Sequence, residues 1–246
     1  MRNGIILSGG SGTRLAPLTQ VVNKQLLGLN GKFIIDYPIE TLKQLGCEDV
    51  TVVLGGSHYP QIIGYLGDGS RYGLNFNYVY QSEPKGIAHA INLCKRFVYD
   101  DADFTVILGD NIFENKLHWN NPNWRTQPRA QIMLSDHPID IRRFGVASLD
   151  EAGNIVKIEE KPQELDPQYK NLAISGCYLF TPRFFDYFQQ IVPSSRGEYE
   201  IVDIIKYYLQ DNNLSYSTIK GLWSDVGTHE SIAFINNYLY HKTSHQ

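Results

Sequence analysis

An α/β fold, built on a mainly parallel sheet covered on both faces by helices, is the fold class this sequence predicts. Two observations carry it. Short β-branched runs alternate with helix-spaced apolar residues from residue 3 to residue 108, and a glycine-rich stretch directly follows the first run. Residues 3–8 read as a buried strand, and residues 34–45 as a helix with apolar positions at Ile35, Ile39, Leu42 and Leu45. Residues 50–54 (strand), 61–66 (short helix), 76–80 (strand), 87–97 (helix) and 104–108 (buried strand) continue the alternation. After Asn111 the rhythm changes. Residues 131–135, 144–149, 154–159 and 174–180 read as strands, and Asp150-Glu151-Ala152-Gly153 has the residue types of a turn. Helices are expected over 182–191, with Pro182 in the first turn, 200–209 and 229–240. Residues 120–128 read as a loop rather than a domain linker, and there is no internal repeat or heptad seam. The expected organisation is one domain, residues 1–246, with a lobe inserted in its second half.

Composition narrows the functional classes. With 246 residues and 42% hydrophobic content, the chain can bury a sizeable core without staples. A net charge of −4 argues against general nucleic-acid binding, so an anionic ligand must be held by a few placed cations and backbone amides. Cys47, Cys94 and Cys177 form no CxxC pair, which speaks against a zinc knuckle or a disulfide framework and fits a reduced, cytoplasmic setting. The apolar run after Met1 is too short for a signal-peptide core or a membrane span, and no membrane partner is expected.

Leu7-Ser8-Gly9-Gly10-Ser11-Gly12-Thr13-Arg14-Leu15 puts three glycines and two hydroxyls just past the first strand. Successive backbone N–H groups in such a loop can form an anion-binding concavity. No Gly-Lys-Ser/Thr follows, so it is not a Walker A loop, and Leu15 stands where a dinucleotide fingerprint needs its third glycine. A glycine loop alone is as readily a tight turn; Arg14 and Lys24 add fixed positive charge at the same mouth. Downstream, Leu108-Gly109-Asp110-Asn111 closes a strand where open α/β sheets place ligands, and Asp225 offers a second carboxylate before a predicted helix. Taken alone, Asp110 is equally a turn residue and Asp225 a helix cap. With a phosphate loop nearby, they are a plausible pair for a divalent ion. None of the seven histidines has a neighbouring cysteine pair to compete, and the one His-x-x-x-His spacing, His241 and His245, lies in the last six residues of the sequence.

The run from Gly9 to Thr19, followed by Lys24, resembles the N-terminal signature of the sugar nucleotidyltransferases, and among them the glucose-1-phosphate thymidylyltransferases. The resemblance implies a Rossmann-like nucleotidyltransferase fold, with a nucleotide-binding half over about residues 1–112 and a sugar-binding half over about 113–246. It assigns the triphosphate to the loop amides of Gly9, Gly10, Ser11, Gly12 and Thr13, the departing pyrophosphate to Arg14, phosphate contact to Lys24, and Mg²⁺ to Asp110 and Asp225. Gln81 and Gly86 would read the pyrimidine. A glutamine amide both donates and accepts, as the imide edge of thymine or uracil requires, although the two could also be a loop glutamine and a helix-opening glycine.

Four further segments fit the sugar side: Arg143-Phe144-Gly145-Val146, Ile158-Glu159-Glu160-Lys161-Pro162, Ile174-Ser175-Gly176-Cys177-Tyr178 and Ser195-Arg196-Gly197-Glu198. By resemblance Glu160 and Glu198 hold hydroxyls, Gly145 and Gly176 let the ring approach the backbone, and Ile174 lies beside them. Lys161 and Arg196 suit the 1-phosphate. Without the resemblance, Glu159-Glu160-Lys161 would read as a solvated charge run. Three departures stand out: Leu27-Gly28-Leu29 where the family continues with Pro-Val, His89 where it carries glutamine, and Val202 where it carries a hydroxyl. The first bears on loop shape, the second on base or sugar fit, the third on the sugar.

The resemblance runs from residue 3 to about residue 240 and is to the short form of the family. The reaction it implies moves a nucleoside monophosphate from dTTP or UTP to glucose 1-phosphate, yielding dTDP-glucose and pyrophosphate. Rivals are a UTP-preferring enzyme, another sugar 1-phosphate, or a non-catalytic nucleotide-sugar binding protein. Arg14, Lys24, Asp110 and Asp225 together weigh against the last. Small-molecule substrates and a homo-oligomer are expected.

Overall fold

Alternation along the first strand sends Ile5 to one face of the sheet and Ile6 to the other, and both are buried. The computed structural model describes residues 2–10, 12–99, 102–119, 129–136 and 140–243; the loop expected at 120–128 lies outside these residues, and so does Ser11. In chain order, β1 (Arg2–Ser8) leads to a small hairpin, β2 (Gly28–Leu29) and β3 (Lys32–Phe33). Then come α1 (Asp36–Gln44), β4 (Cys47–Leu54), α2 (Tyr59–Leu66), β5 (Asn75–Tyr80), α3 (Ile87–Asn92) and β6 (Phe104–Leu108). The second half begins with β7 (Asn111–Phe113), β8 (Ala130–Ser135), β9 (Gly145–Leu149), β10 (Ile155–Glu160) and β11 (Lys170–Phe180). It ends with α4 (Phe184–Phe188), α5 (Ile201–Gln210), β12 (Leu214–Thr218), β13 (Trp223–Asp225) and α6 (His229–Thr243).

The main sheet runs in the order β10-β9-β11-β6-β1-β4-β5, with β8 pairing β11 and β12 pairing β8. Strands β6, β1, β4 and β5 are mutually parallel, while β11 joins β6, β8 and β9 antiparallel. The chain leaves β1 through α1 toward β4 and β5, then returns through α3 to β6 on the other side of β1. That reversal makes the carboxyl ends of β1 and β6 a switch point, the place where an open α/β sheet leaves a crevice.

Two apolar layers flank the sheet. On one face Ile5, Val53 and Val106 pack with Ile91 of α3, Phe184 of α4, and Ile204 and Tyr208 of α5. On the other, Ile6, Val52 and Ile107 pack with Ile39 and Leu42 of α1 and Ile62 and Leu66 of α2. Each fully buried aliphatic side chain contributes about 1.5–3 kcal/mol. A third cluster joins Leu29, Ile34, Ile112 and Val226 to Ile235 of α6.

The α/β class holds, and the sheet is mixed where β11 enters it. Strand β11 starts earlier than its expected 174–180 because Lys170 to Ala173 pair with β9. The helix expected to Phe97 stops at Asn92, where Cys94 N bonds Ile91 O in a tighter turn. Strands β7, β12 and β13 were not anticipated by the pattern. Cys47, Cys94 and Cys177 are buried and form no disulfide, and burial pushes Cys94 up to about 12. Among the described residues no helix is long and apolar enough to cross a membrane.

Candidate active site

Every loop that carries a nucleotide-side candidate leaves the carboxyl end of a parallel strand. Gly9 and Gly10 follow β1, Gln81 follows β5, and Asp110 follows β6. Gly109 is forced by crowding: a Cβ there would lie 2.8 Å from Ser8 Oγ and 2.9 Å from Leu7 O. Its N–H donates to Leu7 O at 2.9 Å, which fixes the direction in which Asp110 leaves the sheet. Lys24, buried in a short turn capped by Asn23, donates to Asp110 Oδ2, and the Asn111 amide donates to Asp110 Oδ1 at 2.9 Å. Burial raises the Asp110 carboxyl, but Lys24 and Asn111 outweigh it and hold the group below the usual range.

The second carboxylate arrives through a three-residue ladder. Strands β7 and β13 pair antiparallel with Asp225 opposite Asn111, and Val226 N donates to Asp110 O at 2.8 Å. Two aspartates more than a hundred residues apart in sequence thus share one corner. Burial and the facing Asp110 push the Asp225 carboxyl up, only partly offset by Arg143, Arg14 and Lys24. Arg143 approaches Asp225 Oδ2 at 3.8 Å, and the Arg14 guanidinium lies against Gly227, 3.0 Å from where a Cβ would sit.

Two clefts meet at this corner. The first, about 260 Å³, is lined by Gly9, Gly10, Lys24, Gln81, Gly86, Asp110 and Glu198 among others. Gly86 has φ 93°, and a Cβ would fall 2.6 Å from Tyr199 O, so only glycine fits. Tyr199 clasps this segment, its N–H bonding Lys85 O at 2.9 Å and its carbonyl accepting from Ala88 N at 3.2 Å. The second cleft, about 300 Å³, takes Arg14, Asp110, Gly145, Glu160, Lys161, Ile174, Gly176 and Asp225 into its wall. Ile87, Leu108 and Asp110 line both.

The register of β9 and β10 sets Glu160 opposite Gly145, and burial raises its carboxyl despite Lys161 at 3.5 Å. Gly176 N–H donates to Asn111 Oδ1 at 3.0 Å, and the space above its Cα is filled by Asn111 and Leu108. The glycine therefore answers to packing between β11 and β6.

Some candidates fall elsewhere than expected. Glu198 lines the first cleft rather than the second. Arg196 lies outside both linings, tied to Glu200 at 2.8 Å, Glu160 at 3.3 Å and Glu198 at 3.6 Å. Gly12 and Thr13 also lie outside the linings, and Thr19 Oγ1 holds Gly12 O at 2.8 Å. Sequence reasoning gave no role to Arg143, Asn111 or Trp223. Yet Trp223 Nε1 donates to Asn111 Oδ1 at 2.7 Å, and all three line the second cleft. The signal for Arg143 was present, a cation directly before the strand start that carries Gly145.

Known proteins resemble this chain over nearly its whole length. The low-salt glycan biosynthesis nucleotidyltransferase of Haloferax volcanii is 37% identical over 95% of this chain and 64% of its own length. A glucose-1-phosphate thymidylyltransferase of Streptomyces griseus is 36% identical over 97% of this chain and 66% of its own length. This chain thus spans about two thirds of those two relatives. A Bacillus anthracis protein assigned as a glucose-1-phosphate thymidylyltransferase, solved with a sucrose, superimposes with a TM-score of 0.85. It shares 37% identity, over 97% of this chain and 95% of that one. The nucleotidyl transferase family model matches residues 3–242, and the chain belongs to that family.

Proposed function

We propose that the chain is a sugar-1-phosphate nucleotidyltransferase that moves a thymidylyl or uridylyl group from dTTP or UTP onto glucose 1-phosphate, releasing pyrophosphate. One observation carries this reading: two clefts meet at Asp110, one with a glycine loop and an amide, the other with carboxylates and cations. A nucleotide in the first and a sugar phosphate in the second would bring their phosphates together at the shared corner. The Streptomyces relative's name supports glucose 1-phosphate and a thymidylyl group.

In this reading an oxygen of the sugar 1-phosphate attacks the α-phosphorus in line, and the bond to the pyrophosphate oxygen breaks. The attacking oxygen is already ionised, so no general base is needed, and catalysis rests on positioning and charge. Gly9 and Gly10 cradle the triphosphate; Arg14 and Lys24 offset the charge that grows on the leaving group. Gln81 and Gly86 meet the base edge, Glu160 takes sugar hydroxyls, and Lys161 with Arg143 faces the 1-phosphate.

Asp110 and Asp225 fit a hard divalent cation. They converge, and Asp225 is raised by burial and by its neighbour, so the corner is short of positive charge. Mg²⁺ bound there would neutralise phosphate oxygens.

The test is a matrix of nucleoside triphosphates against sugar 1-phosphates, read by pyrophosphate release. With glucose 1-phosphate, dTTP and UTP should turn over within about one to two orders of magnitude, since one methyl is worth about 1–3 kcal/mol. ATP, GTP and CTP should be much poorer. Tight nucleotide-sugar binding with no pyrophosphate from any pair would instead make it a binding protein.

A further inference from the structure

The Gln81 amide has one committed end and one free end. Its Nε2 donates to Gly86 O at 3.4 Å and lies 2.9 Å from His89 Nδ1, so both amide hydrogens have partners. Its Oε1 turns the other way, 3.3 Å from where Gly9 would carry a Cβ, and among the described residues nothing donates to it. Gly9, Gln81 and Gly86 all line the first cleft. A ring nitrogen that accepts is unprotonated, so His89 is the neutral tautomer with its proton on Nε2.

We infer that His89 sets which pyrimidine the cleft takes: by accepting from Gln81 it locks the amide with its oxygen toward the base. The inference rests on the proposed base-reading role of Gln81 and adds the residue that gives that role its sign. An acceptor pairs with the N3–H of thymine or uracil and opposes the N3 lone pair of cytosine. The Gly86 carbonyl alone is a weak lock, because 3.4 Å is long for a hydrogen bond. A cationic His89 would donate from both nitrogens and set N–H against N–H. The amide would then turn over and offer donors to the cleft, and cytosine would pair.

The groups around the ring keep this lock in place near neutrality. Burial lowers the His89 pKa from its ordinary 6.5, the Lys85 ammonium lowers it further, and Glu83 works the other way. Glu83 and Lys85 are themselves paired at 2.6 Å, and the Tyr199 ring stacks on His89 with centroids 6.1 Å apart. The lock is present above the His89 pKa and is lost as pH falls through it.

The ratio of kcat/KM for UTP to that for CTP, with glucose 1-phosphate, measured from pH 8 down to where NMR shows the His89 ring protonated, tests this. Taking the ratio cancels titrations that act on phosphate or on the cations around it. As pH falls through the His89 pKa, the wild-type ratio should fall by about tenfold or more, the cost of leaving one buried polar group unpaired. His89→Asn keeps an oxygen acceptor at the place of Nδ1, so its ratio should stay high and flat with pH. His89→Leu frees the amide, and its ratio should be low and equally flat. A wild-type ratio that does not move with pH, or a His89→Leu ratio equal to wild type at pH 8, overturns the inference. Gln81→Leu separates the two levels. If its ratio survives, the base is read elsewhere; if it collapses while His89→Leu keeps the wild-type ratio, Gln81 reads the base and His89 alone is excluded. Should His89→Leu not fold, the slope of the wild type against the flat His89→Asn decides.

Discussion

The first cleft takes its walls from the ends of β1, β5 and β6, three strands of the parallel part of the sheet. The second draws on antiparallel β9, β10 and β11 and on the β7–β13 ladder, segments scattered from Arg14 to Asp225. Their cations differ in the same way. Lys24 is buried and committed to one carboxylate, whereas Arg196, 39% exposed and outside both linings, reaches the second cleft through Glu160 and is divided among three carboxylates. A buried pair cannot lose one partner without stranding a charge, while an exposed network can trade partners at little cost. The nucleotide side is therefore built in advance, and the sugar side can re-form its ion pairs around a ligand.

The largest effects should come where the clefts meet. Asp110→Asn and Asp225→Asn should each lower kcat/KM by about 10²–10³-fold, with the double variant little worse than the poorer single one. Stability should split them. Asp110→Asn leaves Lys24 without its carboxylate and should lower the Tm. Asp225→Asn removes a carboxyl already raised by burial and by Asp110, so its Tm should hold or rise. Multiplicative losses in activity would break the idea of one shared corner.

Arg14→Ala should come next, lowering kcat by about 10²-fold while nucleotide affinity changes less, because its charge matters most as the leaving group departs. Arg196→Ala should do less. A charge already divided among three carboxylates should raise the KM for the sugar phosphate by about tenfold or less and leave kcat within a few fold. A kcat loss matching that of Arg14→Ala would erase the contrast between the two sides.

What was legible in the sequence follows the same division. The glycine loop, Gln81 and Asp110 sit at strand ends that strong apolar runs announce, and parallel pairing brings those ends together, with Lys24 carried to the same place by a short turn. Asp225 stood out in the sequence only as a carboxylate before a predicted helix, equally readable as a cap, and it took the family resemblance to assign it to Mg²⁺ with Asp110. Its position depends on strands β7 and β13, each three residues long and too short to show a period. The ion pairs that hold Arg196 depend on how the 194–200 segment meets β10, which no local pattern encodes. The same holds for His89. The sequence marked it as a departure, but its hydrogen bond to Gln81 appears only once α3 begins at Ile87 and turns the ring back toward β5.

The smallest expected effect concerns the ladder that delivers Asp225. Glu114, just past β7, accepts from Leu222 N at 2.7 Å and from Lys242 of α6 at 2.7 Å, and its own N–H donates to Leu222 O at 2.9 Å. Burial raises its carboxyl, but the Leu222 amide, Lys242 and Tyr238 outweigh that and hold it at about 2, against an ordinary 4.5. A depressed carboxyl adds stability that is fully present above about pH 4.5 and lost as pH falls toward 2. Lys242 is 40% exposed, so solvent screens much of its share. Glu114→Gln should therefore cost only about 1–2 kcal/mol near pH 7, chiefly through the Leu222 amide. The gap between variant and wild type in urea unfolding should narrow as pH drops from 4.5 toward 2. Turnover at neutral pH should fall by no more than a few fold, since β7 and β13 keep their own pairing. A turnover loss as large as that of Asp225→Asn would mean that the ladder's register, and with it the corner shared by both clefts, depends on this one carboxylate.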